Sequence, residues 1–400
     1  MYIVNPSGKI KGVENKILLE QLLNTHGFRK ATQEEVAVFR SEQLKEKSIN
    51  NQKNEIDKNE ILLATVASGP DGYGQSKELL YDALQKAGVK VSLKNNNQTI
   101  SLIYSYPDRI KEIKSKVKII YTMFESTSIP SNWIKYLKKA DLVLVPSKFC
   151  QKAFLTKGIK TEVVPLGYDT TAYNYKQKEQ HKEFTFLHYN SFNTRKGWDI
   201  VFKAFTEEFK IDEPVKLIMK TVKQNLPFPI IKSEYPNIEV IKKEMSRTNL
   251  ANLIHSSDCF VFPSRGEGFG LTPLEALATG TPVIIPNGSG MSEYFNSEYF
   301  YKIDIECMKP AMYAKFDSKD TGEMIEPSKD SLKKQMRYVY ENRQKAIDKA
   351  KKGAEWVKKN YSIDNTGVQL ALHLKKFEGS KNDAIKKVKQ NSNTLNIIEV

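Results

Sequence analysis

Residues 257–286 read SDCFVFPSRGEGFGLTPLEALATGTPVIIP, and this stretch decides the fold. The apolar run 259–262 predicts a strand, a glycine-rich loop follows it, and Pro273 suits the first turn of a helix that ends at Gly280. A second apolar run, 282–285, predicts the next strand. Strand, glycine loop, helix and strand in this order are typical of a parallel βαβ unit. The loop would then meet a helix N-terminus, where backbone N–H groups can bind phosphate.

This stretch also contains two carboxylates, Glu267 in the predicted loop and Glu275 in the predicted helix, eight residues apart. Paired carboxylates act as acid and nucleophile in many glycosidases. One carboxylate in a loop and one in a helix do not match that arrangement by sequence alone. The spacing alone therefore does not indicate a glycosidase-type carboxylate pair.

Three cations accompany a second strand–loop–helix unit, whose strand is predicted at 184–188. Arg195 and Lys196 lie in its loop, and Lys220 ends the next predicted strand, 215–219. A single lysine is more often a solvated surface residue. Three cations at the carboxyl edge of neighbouring parallel strands, however, are suited to holding a diphosphate. The pattern predicts a diphosphate clamp.

Composition limits the possible classes of protein. The 400 residues exceed one ordinary core, so we expect two domains with extensions. The formal net charge of +15 favours an anionic partner, although a lysine-rich solvated surface would explain it equally well. Cys150, Cys259 and Cys307 are too scattered for a disulfide framework or a zinc site. With no signal peptide and no long apolar run in the sequence, we expect a soluble, cytoplasmic protein.

The first large domain is expected to begin near residue 60. Apolar runs alternate with helical patterns and predict an open, doubly wound parallel sheet, with functional loops at the carboxyl ends of its strands. Gly74 lies in one such loop, although the glycine spacing there is not the dinucleotide fingerprint. Glu125 directly follows another strand, where it could meet a sugar hydroxyl, act as a base or form an interdomain ion pair. Strands are predicted at 61–66, 89–93, 100–104, 117–123, 142–145 and 161–164, and helices at 77–87, 108–114, 131–139 and 148–157.

From about residue 60 to residue 360 the chain resembles GT-B glycosyltransferases of the retaining, family 4 type. The resemblance rests on TMFESTSIPSNW, ADLVLVPSKFCQKAF, VVPLGYDT, RKGWD, LIMK and, above all, SRGEGFGLTPLEALATGTPVI, which contains the E-x7-E motif of that family. It implies the fold class α/β, with two Rossmann-like, doubly wound domains facing across a cleft and a small N-terminal extension. The expected division is an accessory module at 1–40, a linker at 41–59, an acceptor domain at 60–168, a nucleotide-sugar domain at 182–355, crossover helices at 356–377 that pack back on the acceptor domain, and a tail at 378–400.

The resemblance also implies roles for individual residues. Glu267 would bind hydroxyls of the donor sugar, and Glu275 would bind the ribose of the nucleotide. The cations Arg195, Lys196 and Lys220 would neutralise the leaving diphosphate. Backbone amides of the glycine loop would bind the donor. Residues in other loops at the carboxyl ends of strands are further candidates for donor binding. The donor-binding candidates besides Glu275 are Gly268, Phe269, Gly270, Leu271, Thr272, Gly74 and Asn193, and Glu125 joins the catalytic candidates.

The implied reaction moves a hexose from a nucleotide sugar to an acceptor hydroxyl, with retention at the anomeric carbon. UDP-glucose or UDP-N-acetylglucosamine is the expected donor, and no cofactor is expected. The sequence has no Asp-x-Asp motif, so we expect cations of the protein to replace a metal ion. The acceptor stays open among a glycan, a lipid-linked sugar, a protein and a modified base in DNA.

Other interpretations are a nucleotide-sugar-binding protein without transfer activity and an NAD-type oxidoreductase, which the glycine spacing disfavours. The basic stretch around Trp133, with Lys135, Tyr136, Lys138 and Lys139, allows peripheral contact at the inner membrane face. Residues 1–40 could serve oligomerisation.

Three local features are predicted within residues 1–40. Apolar runs at 2–4 and 10–13 flank Asn5-Pro6-Ser7-Gly8 and predict a hairpin. A helix is predicted at 14–25, and Thr32 and Glu35 have capping-box spacing. Farther along the chain, residues 331–358 are predicted to be helical.

Overall fold

The computed structural model describes residues 2–4, 10–12, 23–24, 29–33, 35–36, 39, 60–65, 72–95, 98–221, 235–313 and 316–377, with the backbone alone at 10–12 and 72–76. The chain divides into two compact units, Met1–Lys58 and Asn59–Val400. The predicted linker at 41–59, the tail at 378–400 and most of the predicted helix at 14–25 lie outside the described residues.

A three-stranded antiparallel sheet lies in the small unit, in the order β2-β1-β3. Its strands are β1 (Tyr2–Val4), β2 (Ile10–Gly12) and β3 (Arg29–Lys30). Pairing of β1 with β2 confirms the predicted hairpin. The predicted capping box is also confirmed, because the Thr32 N–H donates to Glu35 Oε2 at 2.8 Å and the Glu35 N–H donates to Thr32 Oγ1 at 3.2 Å.

The large unit begins with a six-stranded parallel sheet in the order β5-β4-β6-β7-β8-β9, called here the N-terminal sheet. Buried aliphatic side chains fill its strands, as expected for a sheet covered on both faces. The strands are β4 (Ile61–Thr65), β5 (Val91–Ser92), β6 (Ile100–Tyr104), β7 (Val117–Tyr121), β8 (Leu142–Val145) and β9 (Glu162–Val163). The connecting helices are Gly72–Lys86, Ser131–Leu137 and Lys148–Leu155, with the 3-10 helix Pro107–Glu112.

A second six-stranded parallel sheet, the C-terminal sheet, has the order β12-β11-β10-β13-β14-β15. Its strands are β10 (Phe184–Tyr189), β11 (Val215–Lys220), β12 (Ile238–Ile241), β13 (Cys259–Val261), β14 (Val283–Pro286) and β15 (Tyr301–Ile303). The associated helices are Trp198–Glu208, Arg247–Ser256, Leu271–Ala278 and Lys329–Glu341, with the 3-10 helices Thr194–Lys196 and Ser289–Glu293. The two parallel sheets confirm the expected α/β fold class.

The C-terminal helices return to the N-terminal sheet. Helix Arg343–Asn360 is followed by helix Ile363–Lys375, which packs against helix Gly72–Lys86. A Cβ on Gly367 would lie 2.5 Å from the Ala83 carbonyl oxygen, so this crossing requires a residue without a side chain. The N–H of Tyr168 also donates to the Tyr361 carbonyl at 2.9 Å, beside the same crossing.

Several local predictions were wrong. The segment predicted as a helix at 108–114 is the 3-10 helix Pro107–Glu112. Residues 331–358 are helical as predicted, but they belong to two helices, Lys329–Glu341 and Arg343–Asn360, separated at Asn342. Helix Gly72–Lys86 begins earlier than predicted, so Gly74 belongs to its first turn rather than to a loop. Residues 66–71, where a loop was expected, lie outside the described residues.

The aromatic anchor of the expected membrane-contact stretch is not at the surface. Trp133 is 7% exposed and packs edge-on against Phe124, with ring centroids 5.1 Å apart. Tyr136 is flanked by Lys111 and Lys135 instead. No helix among the described residues is long and apolar enough to cross a bilayer.

Each parallel sheet has one point where the direction of strand addition reverses. In the C-terminal sheet it lies between β10 and β13, and in the N-terminal sheet between β4 and β6. Ligands of doubly wound sheets bind beyond the carboxyl ends of the strands at such points. The loops after β10 and β13 are those that carry Lys196 and Glu267, so the sheet topology itself brings these two side chains to one place.

Candidate active site

The loop after β10 is held in shape by its own residues. Asn193 accepts a hydrogen bond from the Lys196 backbone N–H at 3.1 Å and caps the 3-10 helix Thr194–Lys196. Gly197 follows with φ +73°, and a Cβ there would lie 2.1 Å from the Pro263 carbonyl oxygen. Both the positive φ and the close approach favour glycine. The loop is therefore fixed against the loop after β13.

Arg265 anchors the loop after β13. Its guanidinium donates to the two oxygens of Asp199 at 2.8 Å each and to those of Glu326 at 2.7 and 2.9 Å. Bidentate pairs of this kind are strong and fix orientation. Asp199 lies in the first turn of helix Trp198–Glu208, so Arg265 fastens the glycine loop to the unit that carries the cations.

Four of the predicted catalytic residues form one charge cluster. The Lys196 ammonium donates to Glu267 Oε1 at 2.6 Å, and the Ser264 hydroxyl donates to the same oxygen at 2.7 Å. Arg195 lies 3.7 Å from that oxygen and 3.6 Å from Glu125 Oε1. The Arg195 guanidinium thus lies between a carboxylate from the C-terminal sheet and one from the N-terminal sheet.

Burial and charge oppose each other in this cluster. Burial would raise the pKa of Glu267, but Lys196 and Arg195 outweigh it and hold that pKa below its ordinary value. Burial lowers the pKa of Lys196, and the Arg195 charge adds to the effect while Glu267 opposes it. Burial also works against the Arg195 charge, but Glu125 and Glu267 raise its pKa. An anionic ligand reaching these cations would compete with Glu267 for them.

Glu275 has a different environment, in helix Leu271–Ala278. Burial raises its pKa to about 7, Arg247 opposes the shift, and Asp169 adds to it. Asp169 is itself buried and lies 3.6 Å from Arg247. A carboxyl group with its pKa near neutrality changes charge readily when a ligand binds, which is typical of functional sites.

The other candidates of the glycine loop contribute backbone rather than side chains. Phe269 is buried and packs on Tyr294, with ring centroids 5.3 Å apart. Gly270 has φ +84° and is the N-cap of helix Leu271–Ala278. Leu271 and Thr272 form the first turn of this helix, whose N–H groups lack partners within the helix. These N–H groups are the candidates for the expected phosphate site.

Lys220 and Gly74, two further predicted residues, do not join the charge cluster. Lys220 is buried at the end of β11, where it donates to the Thr221 carbonyl at 3.1 Å and lies 5.5 Å from the centroid of the Tyr189 ring. Burial lowers its pKa. Within the described part of the chain, no hydrogen bond or ion pair connects Lys220 with Glu267. Gly74 lies in the first turn of its helix, as described above.

Two glycines of the motif allow the sheets to approach each other. A Cβ on Gly266 would lie 2.3 Å from the Glu125 carbonyl oxygen, and one on Gly268 would lie 2.7 Å from Met123 Cβ. Ser147, after β8, donates to the Gly268 carbonyl at 2.7 Å. A side chain at either glycine would push the N-terminal loops away. The glycine loop therefore serves the junction of the two sheets as well as its own conformation.

Sequence patterns did not reveal several neighbours of the site. Ser264 lies just before the motif and could have been found as a hydroxyl next to Glu267. Asp169, in the stretch VVPLGYDT, and Arg247 come from segments distant from Glu275, and no spacing rule connects them with it. Tyr313, whose hydroxyl donates to Glu125 Oε2 at 3.2 Å, is 188 residues away from its partner. Among the described residues, no group of three or more His, Cys, Asp or Glu side chains is arranged to hold a metal ion.

Comparisons with known proteins fit this geometry. Residues 169–356, just under half of the chain, match the family described as glycosyl transferases group 1. Over 46 residues the chain is 52% identical to the lipopolysaccharide core biosynthesis mannosyltransferase LpsB of Rhizobium meliloti (strain 1021), a match covering 12% of this chain and 13% of that protein. The match therefore spans about an eighth of the length of this curated relative.

Solved structures share the architecture over a larger part of the chain. Sucrose-phosphate synthase from Thermosynechococcus elongatus superposes with a TM-score of 0.56 at 16% identity, covering 78% of this chain and 82% of that one. HepE from Anabaena, in complex with UDP and glucose, gives a TM-score of 0.58 at 14% identity, covering 79% and 99%. At such identities the likeness concerns the fold, and it confirms two Rossmann-like domains of the GT-B type.

Proposed function

We propose that this protein is a retaining glycosyltransferase that moves a hexose from a nucleotide sugar, UDP-glucose or UDP-N-acetylglucosamine, to an acceptor hydroxyl. The observation that carries the proposal is the cluster of Glu267, Lys196, Arg195 and Glu125 at the junction of two GT-B sheets. The family match to residues 169–356 and the UDP and glucose bound by the similarly folded HepE support it.

The proposed division of labour follows the two sheets. The domain at 182–355 binds the donor, with the ribose on Glu275 and the sugar hydroxyls on Glu267. The domain at 60–168 binds the acceptor, and Glu125 faces it. The crossover helices at 356–377 hold the two domains together.

In the reaction, the bond between the anomeric carbon and the diphosphate oxygen breaks, and its electron pair leaves with the diphosphate. The acceptor oxygen bonds to the anomeric carbon on the same face, and its proton passes to the departing phosphate. Positive charge therefore develops on the sugar and negative charge on the leaving group. Lys196, Arg195 and the N–H groups after Gly270 are fixed donors that stabilise the negative charge without reorganising.

Lys196 has a second role in the proposed reaction, because a bound diphosphate competes with Glu267 for its ammonium group. Without ligand, its charge is balanced by Glu267 at 2.6 Å. A bound diphosphate attracts the ammonium, and this frees one oxygen of Glu267 to accept from a sugar hydroxyl. Donor binding and the orientation of Glu267 are then linked through one lysine.

The proposal is tested with a donor panel of UDP-, GDP- and ADP-sugars, with detection of the released nucleotide. The acceptors are monosaccharides, a lipid-linked sugar, a peptide and a DNA duplex carrying hydroxymethylated bases. We expect UDP release that an acceptor stimulates, product with the anomeric configuration of the donor, and unchanged rates in a metal chelator.

Glu267→Gln serves as the site variant, and Glu207→Gln, which replaces an exposed carboxylate paired with Lys329, serves as the control. We expect loss of transfer in the first and wild-type rates in the second. Tight UDP binding with no nucleotide release from any donor would instead identify a nucleotide-sugar-binding protein. Equal activity of the two variants would exclude the assigned role of Glu267.

A further inference from the structure

An unpredicted hairpin crosses from the C-terminal sheet to the N-terminal sheet. Its strands are β16 (Ile305–Pro310) and β17 (Glu323–Pro327), which pair antiparallel. The connection between them includes the short helix Ser318–Thr321. This connection reaches the loop after β7, where Glu125 lies.

Hydrogen bonds of backbone groups and of two hydroxyl side chains fix the hairpin on that loop. Ser126 Oγ donates to the Thr321 carbonyl at 2.7 Å, and the Thr127 N–H donates to the Glu323 carbonyl at 3.0 Å. In return, the Glu323 N–H donates to Thr127 Oγ1 at 2.8 Å. A Cβ on Gly322 would lie 2.3 Å from Thr127 Oγ1, so the two segments approach as closely as glycine allows. The hairpin therefore meets Glu125 and its neighbours in one defined register.

The hairpin brings one hydroxyl to the site. Tyr313 Oη donates to Glu125 Oε2 at 3.2 Å and lies 3.3 Å from Ser126 Oγ. The ring is held by Phe124, at a centroid distance of 5.0 Å, and by Phe316, at 5.8 Å. Burial and then the Glu125 charge raise the pKa of Tyr313, so its hydroxyl stays protonated and remains a donor.

Glu125 is thereby held from two sides. One of its oxygens faces the Tyr313 hydroxyl, and the other lies 3.6 Å from the Arg195 guanidinium. The carboxylate side chain is still 28% exposed, so it can accept a further hydrogen bond from outside. A carboxylate restrained in this way presents a remaining lone pair in a fixed direction.

We infer that Tyr313 is a positioning residue for the acceptor. It holds Glu125 so that this carboxylate accepts a hydrogen bond from the acceptor hydroxyl that attacks the donor sugar. The inference rests on the proposed function and assigns the acceptor side of that site to two segments, the loop after β7 and the hairpin. Because Glu125 accepts this hydrogen bond, the molecule that receives the sugar must have a free hydroxyl group, as a sugar or another polyol does.

The test uses Tyr313→Phe, which keeps the ring packing and removes the hydroxyl. Tyr338→Phe is the matched control, because Tyr338 is 46% exposed on helix Lys329–Glu341 and away from the cluster. For the full chain we measure kcat and acceptor KM with the most stimulating acceptor of the panel, UDP release in water without acceptor, the Kd of UDP and the melting temperature. We expect kcat/KM for the acceptor to fall about tenfold in Tyr313→Phe, the size expected for a lost hydrogen bond to a charged group, with the other readouts unchanged.

A cycle with Glu125→Gln separates positioning from packing. Because Tyr313 acts through Glu125, adding Tyr313→Phe to Glu125→Gln should cause no further loss of transfer. Three results would overturn the inference while leaving the proposed function intact. The first is unchanged transfer in Tyr313→Phe, and the second is additive losses in the cycle. The third is a loss of transfer accompanied by a lower melting temperature or weaker UDP binding. A wild-type protein that transfers to no acceptor overturns the proposed function, and this inference falls with it.

Discussion

The reversal point of the C-terminal sheet and the corresponding edge of the N-terminal sheet are built by different means. On the C-terminal side, Lys196 and Glu267 come from the loops after β10 and β13, which the strand order makes neighbours. On the N-terminal side, Glu125 is held by Arg195 and by Tyr313, which both belong to segments that follow the N-terminal sheet in the chain. The C-terminal side, the donor side of the proposed function, is thus assembled from neighbouring strand ends of one sheet. The N-terminal side, the proposed acceptor side, depends on segments from outside its own sheet.

The two sides also differ in the burial of their ion pairs. The Lys196 and Glu267 side chains are 15% and 8% exposed, whereas Lys157 and Asp320, which pair across the hairpin contact, are 22% and 31% exposed. Breaking a buried pair leaves an uncompensated charge, while an exposed pair is screened by water. Equivalent substitutions should therefore have much larger effects on the donor side.

The largest effect is expected for Lys196→Ala. It leaves Glu267 buried without its nearest cation, which should reduce the free energy of unfolding by about 3 kcal/mol. It also removes a fixed donor to the leaving group, which should lower kcat by about 10²- to 10³-fold. Chemical denaturation and nucleotide release measure the two effects separately.

The matched control is Lys216→Ala, because the Lys216–Glu239 pair has a short distance of 2.5 Å but lies at the surface, with side chains 30% and 45% exposed. We expect its loss to cost less than about 1 kcal/mol. The double variant Lys196→Ala/Glu267→Gln should regain stability, because the unpaired charge is gone, but not activity. If the double variant is as unstable as Lys196→Ala, the buried charge is not the cause.

The next largest effect concerns Glu275 and pH. Its pKa of about 7 in the folded protein lies above the ordinary value of 4.5, so the fold favours the protonated form. The contribution of the Glu275 side chain to the free energy of unfolding is therefore fully present below pH 4.5 and is lost as the pH rises through about 7. This loss amounts to at most about 3 kcal/mol. Glu275→Gln cannot titrate and should therefore be more stable than the wild type at pH 8, with a smaller difference at pH 5.

Nucleotide binding should depend on pH in the opposite direction. If the ionised Glu275 carboxylate accepts hydrogen bonds from ribose hydroxyls, UDP binding to the wild type should tighten about tenfold between pH 6 and pH 8. Glu275→Gln corrects for the titration of UDP itself, and its binding should be weaker and follow pH less steeply. Parallel pH profiles of the two proteins would remove Glu275 from the nucleotide site.

The same contrast explains how much could be predicted from the sequence. Strands β6 and β8 were predicted to the residue, because short buried apolar runs between turn signals mark parallel strands. The charge cluster followed from strand ends and a dense motif. The β16–β17 hairpin was not predicted, because β16 is exposed along its whole length and its sequence shows no apolar alternation. The contact of Tyr313 with Glu125 was not predicted, because no spacing rule connects residues so distant in the chain.

Glycines were the hardest residues to interpret. Gly266 and Gly268 suggested a phosphate loop, but both lie against the N-terminal segment 123–125, where a Cβ would clash. Gly270 does have the left-handed backbone and the helix N-cap position expected of an anion site. A glycine in a sequence marks a need for space or for positive φ, and the structure must decide which of the two applies.

The smallest effect is expected on the acceptor side, for Asp320→Asn. Asp320 accepts from the Ser131 N–H at 2.7 Å and from Lys157 Nζ at 2.9 Å, and so fastens the hairpin to the N-terminal sheet. Burial would raise its pKa, but Ser131 and Lys157 outweigh it and lower the pKa to about 2. The carboxylate therefore stabilises the fold above its ordinary pKa of 3.8, and this contribution is lost as pH falls through about 2.

Because the pair is partly exposed, we expect Asp320→Asn to cost about 1 kcal/mol at pH 7 and less at pH 3. Asp348→Asn, an exposed carboxylate on helix Arg343–Asn360, is the control for removing a charge. Equal melting temperatures of the two variants at pH 7 would show that this contact does not hold the hairpin. A loss in Asp320→Asn larger than that in Lys196→Ala would reverse the order of the two sides.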